Sequence, residues 1–477
     1  MIVDDSHTKS AKSVQTKTRQ AAYLEISHNL EQQIRSGQYP PGSRLPPQRD
    51  LAVELKINVS TVLRAYKELQ ARGLVVASKR RGSIVTGGAM PAVKLAQGRN
   101  EETSRGDGLV TGVVDLTVNR PATGAFLSQL GKTMATIGQD PRFPETQEYQ
   151  PPQGPDWARL AGAKWISTGT FNPSPDNVVV TSGAQHGIYA VLSSLMGHEG
   201  IILSDKLTYY GLKALAPVFQ FELMGISSDE QGLLPDELEE ACRTRRVKAI
   251  FVVPNLQNPS VVTMSLARRI ALVSIARKYQ IVIIEDDVYG PLVSKRLPTI
   301  CSLCPELTFH VASTSKILAP GLRVGYVLTP THGAALAAEA VRTTAWMPSP
   351  LSTLIVTRWI EDGTAKIILD AQRTELKARQ ELAGQLLPNE LLRSDPECMF
   401  VWLRVPEPWR SEDFAANALA RGVNTMPASA FAVDRSPIEH GVRINLACAS
   451  SRSELSRALG TLAQTLRDRP RALFGTI

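Results

Sequence analysis

Apolar residues recur at helical spacing early in the chain. Leu24, Ile26, Leu30 and Ile34 fall on one face of the stretch 23–34. Ser36-Gly37 and Pro40-Pro41-Gly42 follow, and neither Gly nor Pro continues a helix well. Residues 45–55 (LPPQRDLAVEL) predict a second short helix. Residues 59–72 (VSTVLRAYKELQAR) predict a third, with Val62, Leu63, Tyr66 and Leu69 on one face and Gly73 closing it. The runs 74–77 and 83–85 then read as a hairpin whose tip, Ser78-Lys79-Arg80-Arg81-Gly82, is basic. Three helices and a basic hairpin outline a winged helix-turn-helix, with the third helix in the major groove and the wing on phosphates or in the minor groove.

The periodicity then stops. Residues 87–114 are rich in Gly, Ser, Thr and charge and read as a flexible linker. Such a tether has an r.m.s. span of about 30 Å and stretches to roughly 90 Å. From residue 115 to 477 short β-branched runs alternate with helical stretches. Asn177-Val178-Val179-Val180-Thr181 precedes Ser182-Gly183-Ala184-Gln185-His186-Gly187, and Lys248-Ala249-Ile250-Phe251-Val252-Val253 precedes Pro254-Asn255-Leu256-Gln257-Asn258-Pro259. Ile281-Val282-Ile283-Ile284 precedes Glu285-Asp286-Asp287-Val288-Tyr289. Continuous apolar strands, each followed by a polar turn and a helix, predict an α/β fold with a parallel sheet covered on both faces. Ligands in such folds sit at the carboxyl ends of the strands, where these polar turns lie. The expected organisation is a DNA-binding unit over 17–86, a linker over 87–114 and an α/β body over 115–477.

Charge sharpens this division. Residues 1–110 hold 17 Lys+Arg against 10 Asp+Glu, and the remaining residues hold 36 against 35. A basic head on a neutral body points to nucleic acid for the first and small-molecule chemistry for the second. The five cysteines are few, scattered and odd in number, so no disulfide framework is expected. Cys301-Ser302-Leu303-Cys304 lacks a second ligand pair, and no metal site is expected. The start carries no basic region followed by an apolar stretch, and no run of about 18 apolar residues occurs, so a cytoplasmic protein without a membrane span is expected.

The segment His310-Val311-Ala312-Ser313-Thr314-Ser315-Lys316, with Arg323 seven residues beyond the lysine, resembles the cofactor-lysine segment of fold-type I pyridoxal-phosphate (PLP) enzymes, the aspartate aminotransferase group. The same order of motifs runs through the body: S-G-x-Q, N-P, E-D-D-x-Y, S-x-S-K and a late V-R-I-N. The resemblance implies that Lys316 carries PLP as a Schiff base. It also implies that Ser313, Ser315 and Arg323, with Ala184 and Gln185 at a helix start, hold the phosphate. Asp286 would pair with the pyridine nitrogen and keep the ring an electron sink. Asn258 and Tyr289 would reach the ring 3-oxygen, and Tyr209 would stack on the ring. Tyr149 resembles the tyrosine that reaches a partner subunit's phosphate, and Arg443 the arginine that clamps a substrate carboxylate. Val261 stands where the N-P-T-G turn of the family has glycine, so a reshaped turn is expected beside Asn258.

The head, through L-P-P-x-R-D-L-A, V-L-R-A-Y-x-x-L and R-G-x-I-V, is similar to the GntR family of bacterial regulators over about 23–85. By that resemblance Arg49, Ser60, Thr61 and Arg64 face DNA, and Arg81 and Gly82, with Ser83, form the wing. Lys56 replaces the usual turn glycine and Val59 a common arginine. The two resemblances together describe the MocR subfamily of GntR regulators. They imply a PLP-dependent regulator that senses an amino acid, an amine or PLP itself, binds a double-stranded operator and works as a domain-swapped, head-to-tail homodimer. The alternatives are an active aminotransferase with an attached head and a DNA-binding protein whose body has lost PLP.

Overall fold

The computed structural model describes residues 23, 26–34, 38–39, 43–71, 74–78, 82–85, 113–169, 171–195, 200–434 and 438–468. The chain folds as two compact units, with the division after Glu102. Leu24, the wing tip 79–81 with Arg81, and all but the last two residues of the expected linker lie outside the described residues.

In the N-terminal unit helix α1 covers 26–34, α2 Gln48–Glu54 and α3 Val59–Ala71. Helix α2 starts three residues later than the pattern predicted. Pro47 is extended (φ −56°, ψ 136°), and a proline also pushes the residue before it away from helical geometry. Strands β1 (Val75–Ser78) and β2 (Gly82–Val85) pair antiparallel as the expected hairpin, with Val76 opposite Ile84. Leu30, Leu45, Leu51, Ala52, Val62, Tyr66, Leu69, Val75 and Val85 form the core. Leu63 was expected on the buried face but is 39% exposed. The inward stripe is instead Val62, Ala65, Tyr66 and Leu69, which keeps the spacing i, i+3, i+4, i+7 and excludes position 63. Lys56 closes the turn before α3 at φ +54°, a left-handed conformation that costs a non-glycine residue about 1 kcal/mol.

The second unit is built on a seven-stranded sheet. Its order is Val178–Thr181, Gly325–Leu328, Thr308–Ser313, Val282–Asp286, Val247–Val252, Ile201–Asp205 and Glu222–Ile226. Six strands are parallel, and Gly325–Leu328 runs antiparallel to both neighbours. This corrects the all-parallel expectation. A parallel neighbour needs a crossover, usually a helix, and the 314–324 connection contains none of useful length, so the chain returns beside the strand it has just left. That short return carries both Lys316 and Arg323. Val178–Thr181 and Thr308–Ser313 are buried at every residue, as strands covered on both faces must be.

A smaller antiparallel sheet orders Leu392–Arg393, Phe400–Arg404, Gly441–Asn445 and Met426–Pro427. The first strand of this unit, β3 (Val114–Asp115), pairs parallel with Val423–Asn424 beside it. Leu116 sinks into the core of this region with Phe414, Ile444 and Leu459. Among the described residues no helix is long and apolar enough to cross a membrane.

Candidate functional site

Lys316 follows the strand Thr308–Ser313 in a tight turn, where the Ile317 and Leu318 N–H groups donate to the Thr314 carbonyl at 3.2 and 2.8 Å. Its Nζ donates to the backbone oxygen of Asn119 at 2.7 Å. Burial, reinforced by the charges of Arg443 and Arg323 and opposed by Asp286, brings this amine down to about 8. Asp286 ends the neighbouring strand, and its Oδ1 is buried without a hydrogen-bond partner among the described residues. Burial pushes its carboxyl up to about 7, Asp287 adding to the effect, while the Val288 N–H, Lys316 and His310 hold it back.

The acids flanking Asp286 are fully used. Glu285 accepts from the Ile300 and Cys301 N–H groups at 2.8 and 2.9 Å and faces His310 Nδ1 at 2.8 Å. Burial opposes both charges of this pair, yet each partner stabilises the other, so the Glu285 carboxyl is held low and the His310 imidazole high. Asp287 accepts from Asn255 Nδ2 at 2.6 Å and from Arg296. Of three consecutive acids, only Asp286 keeps an oxygen for which the described residues supply no donor.

Across the sheet, Ser182-Gly183 joins the strand Val178–Thr181 to the helix Ala184–Leu195, whose N–H groups and dipole favour an anion. Gly183 has φ +86°, and a Cβ there would lie 2.7 Å from Arg323 Nη2. Arg323 is itself left-handed (φ +54°) and reaches Ser315 Oγ at 3.5 Å and the Ser182 carbonyl at 3.3 Å. Ser313 and Ser315 are buried and linked, the Ser315 N–H donating to Ser313 Oγ at 3.1 Å. Gln185 donates to the Gly211 carbonyl at 3.0 Å and leaves its Oε1 without a partner among the described residues. Tyr209 precedes the helix Tyr210–Phe219, with its ring 5.0 Å from that of Tyr210. Burial first, then Tyr210 and Asp286, push its hydroxyl well above the ordinary phenol range.

Sequence reasoning missed the residues that complete the site. Directly after β3, four consecutive carbonyls each accept a hydrogen bond. That of Leu116 takes the Asn445 N–H at 2.8 Å, that of Thr117 Arg443 Nη2, that of Val118 Cys448 Sγ at 2.6 Å and that of Asn119 Lys316 Nζ. Arg443 is fully buried, donates through Nη1 to Asn258 Oδ1 at 2.8 Å and lies 5.0 and 5.7 Å from the ring centres of Phe431 and Phe400. Its Nε has no partner among the described residues. The Asn119 side chain donates to Tyr289 Oη at 2.8 Å and accepts from Asn445 Nδ2 at 2.8 Å. Backbone acceptors leave no signal in the sequence, and nothing in Asn119-Arg120-Pro121 marks the side chain of Asn119.

Val261 corrects another expectation. It adopts φ +68° itself, so the turn beside Asn258 keeps the geometry that glycine would allow. Its N–H donates to the Gln257 carbonyl at 2.7 Å and its side chain is packed in the main core, which together hold the strained conformation. Tyr149 is 81% exposed and packs edge-on to Trp346 at 5.8 Å.

In the head, Arg49, Ser60 and Arg64 are exposed and Thr61 is half-buried. Asn58 Oδ1 accepts the N–H and the hydroxyl of Ser60, both at 2.9 Å, and so caps α3. The Arg64 guanidinium lies 4.5 Å above the ring centre of Tyr23. Gly82 opens β2, while Arg81 lies outside the described residues.

Two family models match the chain: aminotransferase class I and II over 111–462, and the gntR family of bacterial regulatory proteins over 22–85. A relative named as the HTH-type transcriptional regulator YdeF of Bacillus subtilis is 28% identical over 97% of this chain and 98% of its own. The vitamin B6 salvage pathway transcriptional repressor PtsJ of Salmonella typhimurium is 26% identical over 93% of this chain and 98% of its own. The fold of the body is shared with Pyrococcus horikoshii kynurenine aminotransferase at TM-score 0.70 and 22% identity, covering 76% of this chain and 93% of that one.

Proposed function

The chain belongs to the aminotransferase class I and II family and carries a gntR-type helix-turn-helix at its N-terminus, and on that footing we propose that it is a PLP-dependent, DNA-binding transcriptional regulator. Its body senses an amino acid, an amine or PLP itself. One observation carries the proposal: a chain with a gntR-type head also holds, in its body, a buried lysine of lowered basicity within electrostatic reach of the Asp286 carboxyl, one oxygen of which has no partner among the described residues.

The residues present fit the cofactor. The orphaned Asp286 Oδ1 matches the protonated nitrogen of a pyridine ring, and the space that a Cβ at Gly183 would fill lies beside Arg323, at a helix start suited to a phosphate. When bound, PLP supplies an aldehyde and an electron-withdrawing ring that take up amines reversibly. The chain does the rest. Lys316 offers Nζ with its proton readily lost near neutral pH, because burial and two arginines disfavour the ammonium. Arg323, Ser313, Ser315 and the N–H groups at Ala184 and Gln185 would hold the phosphate. Tyr209 would stack on the ring, and Asn258 and Tyr289 would address its 3-oxygen. Arg443 presents its guanidinium to an effector carboxylate between two aromatic rings that exclude water.

Arg49, Ser60, Thr61 and Arg64, with the wing at Arg81 and Gly82, contact a double-stranded operator in the cytoplasm. Two chains act together as a head-to-tail, domain-swapped homodimer, in which Tyr149, exposed on its own chain, reaches the partner subunit's phosphate site. The residue spans are 17–86 for the head, 87–114 for the linker and 115–477 for the body. Effector binding shifts operator affinity only if it favours one conformation over another. Gel-shift titration of the full chain with PLP and a panel of amines tests this, and operator affinity indifferent to all of them overturns it.

A second reading, an active aminotransferase with an attached head, is favoured by the lowered basicity of Lys316 together with the complete set around it. Single-turnover spectroscopy separates the two. Rapid conversion of bound PLP to its amine form, with no specific DNA binding, selects the enzyme.

A further inference from the structure

A row of hydrogen bonds behind the site has a direction that its ends force. The Ala447 N–H donates to Asn445 Oδ1 at 2.8 Å. A backbone N–H can only donate, so that atom of Asn445 is the oxygen and the other end is the NH2 group. Asn445 Nδ2 then donates to Asn119 Oδ1 at 2.8 Å, which leaves Asn119 Nδ2 to donate to Tyr289 Oη at 2.8 Å. The Tyr289 hydroxyl is therefore an acceptor on its Asn119 side, and its own proton points elsewhere. Asn119, Asn445 and Tyr289 are buried, so water does not scramble this order. Through its carbonyl the same Asn119 also accepts from Lys316 Nζ, the covalent handle of the proposed cofactor.

We propose that Asn119 is a positioning residue that fixes the polarity of Tyr289, making its hydroxyl a donor into the ligand site so that the ring oxygen it meets is held as an anion. This rests on the PLP-binding reading above and gives Tyr289 a definite sign within it. It assigns the polarity to a backbone N–H three residues away along the hydrogen bonds rather than to the tyrosine itself.

The test uses the full chain loaded with PLP and follows the pH midpoint of its visible absorbance. A donor to the ring oxygen stabilises the anion, so removing it makes that oxygen more basic and raises the midpoint. Tyr289→Phe removes the donor outright and is expected to raise the midpoint by about one unit, the tenfold change of a single hydrogen bond. Asn119→Ala frees the hydroxyl to turn away, and Asn119→Asp, of nearly the same size, draws the tyrosine proton back to itself. Both are expected to shift the midpoint in the same direction as Tyr289→Phe, and Asn119→Ala to add almost nothing in the Tyr289→Phe background.

The charges around Tyr289 (Arg443, Asp286 and Cys398) and around Lys316 (Arg443, Asp286, Arg323 and Cys448) are untouched in Asn119→Ala, so its difference reads Asn119 alone, whereas Asn119→Asp adds a charge of its own and counts only as the part of its shift that Tyr289→Phe removes. An equal shift from Asn119→Ala with and without Tyr289 overturns the proposal, as does no shift from a folded Asn119→Ala or Asn119→Asp protein. If PLP produces no visible band in the unmodified chain, the PLP reading itself falls, an outcome distinct from a band whose midpoint ignores Asn119.

Discussion

Gly183 and Arg323 occupy one space: a Cβ on the first would stand 2.7 Å from Nη2 of the second. Gly183→Ala therefore meets two penalties, a left-handed backbone (φ +86°) and a displaced guanidinium. The expected result is a stability loss of about 1 kcal/mol and PLP binding weakened roughly tenfold or more. Gly321→Ala, in the short return that carries Arg323 but with open space and no left-handed φ, is expected to leave both unchanged. Absorbance titration with PLP, alongside urea unfolding, checks the pair.

Asp286 predicts an unusual pH dependence for the cofactor-free protein. Its folded carboxyl is raised to about 7, above its unfolded value, so the native state binds the extra proton between these limits. The group's contribution to stability is thus fullest in acid and is lost as pH rises towards 7, on the order of 4 kcal/mol in total. Chemical denaturation at pH 5 and pH 8 is expected to show this slope, and Asp286→Asn to flatten it. PLP, by bringing a cation to Oδ1, is expected to flatten it as well.

Lys316 gives the complementary case. An amine brought down to about 8 is substantially deprotonated well below the usual lysine range. The rate of PLP uptake is expected to rise through pH 8, not through 10 or above, when followed by stopped-flow absorbance. Lys316→Ala is expected to abolish the visible band while leaving operator binding measurable. A band that survives would place the attachment on another residue.

Arg64 lies over the Tyr23 ring, a contact of about 0.5–1 kcal/mol at an exposed position. On the proposed reading, that contact would orient the arginine before DNA arrives. Arg64→Ala is expected to weaken operator binding by about 1–3 kcal/mol, and Tyr23→Ala by a smaller amount through lost orientation. Gel shifts at fixed salt, with PLP absorbance as the control, distinguish a DNA effect from a fold effect.

The architecture was legible wherever side-chain pattern decides structure. The buried strands and the polar turns at their carboxyl ends follow from residue type and spacing, and Gly183, Asn258, Asp286, Lys316 and Arg443 were picked out by the resemblance to fold-type I enzymes. The direction of the strand Gly325–Leu328 was not legible, because it depends on how short the preceding connection is rather than on its own apolar run. Lys56 and Val261 show a different limit. Side-chain preference argues against left-handed backbone at either, yet backbone hydrogen bonds hold it at both, with core packing added at Val261. The carbonyls at 116–119 were invisible for a third reason: a backbone acceptor carries no residue code, so only tertiary structure reveals what it accepts.

Those carbonyls also decide where the molecule can be cut. A body fragment started at residue 120 would carry every catalytic-looking side chain and still be defective. Arg443 and Lys316 would each lose an acceptor, Cys448 would lose one too, and Tyr289 would lose the amide that orients it. The amino-terminal edge of the small-molecule half is thus not a free end but an inner wall, and any protease or expression vector that separates the halves has to spare it.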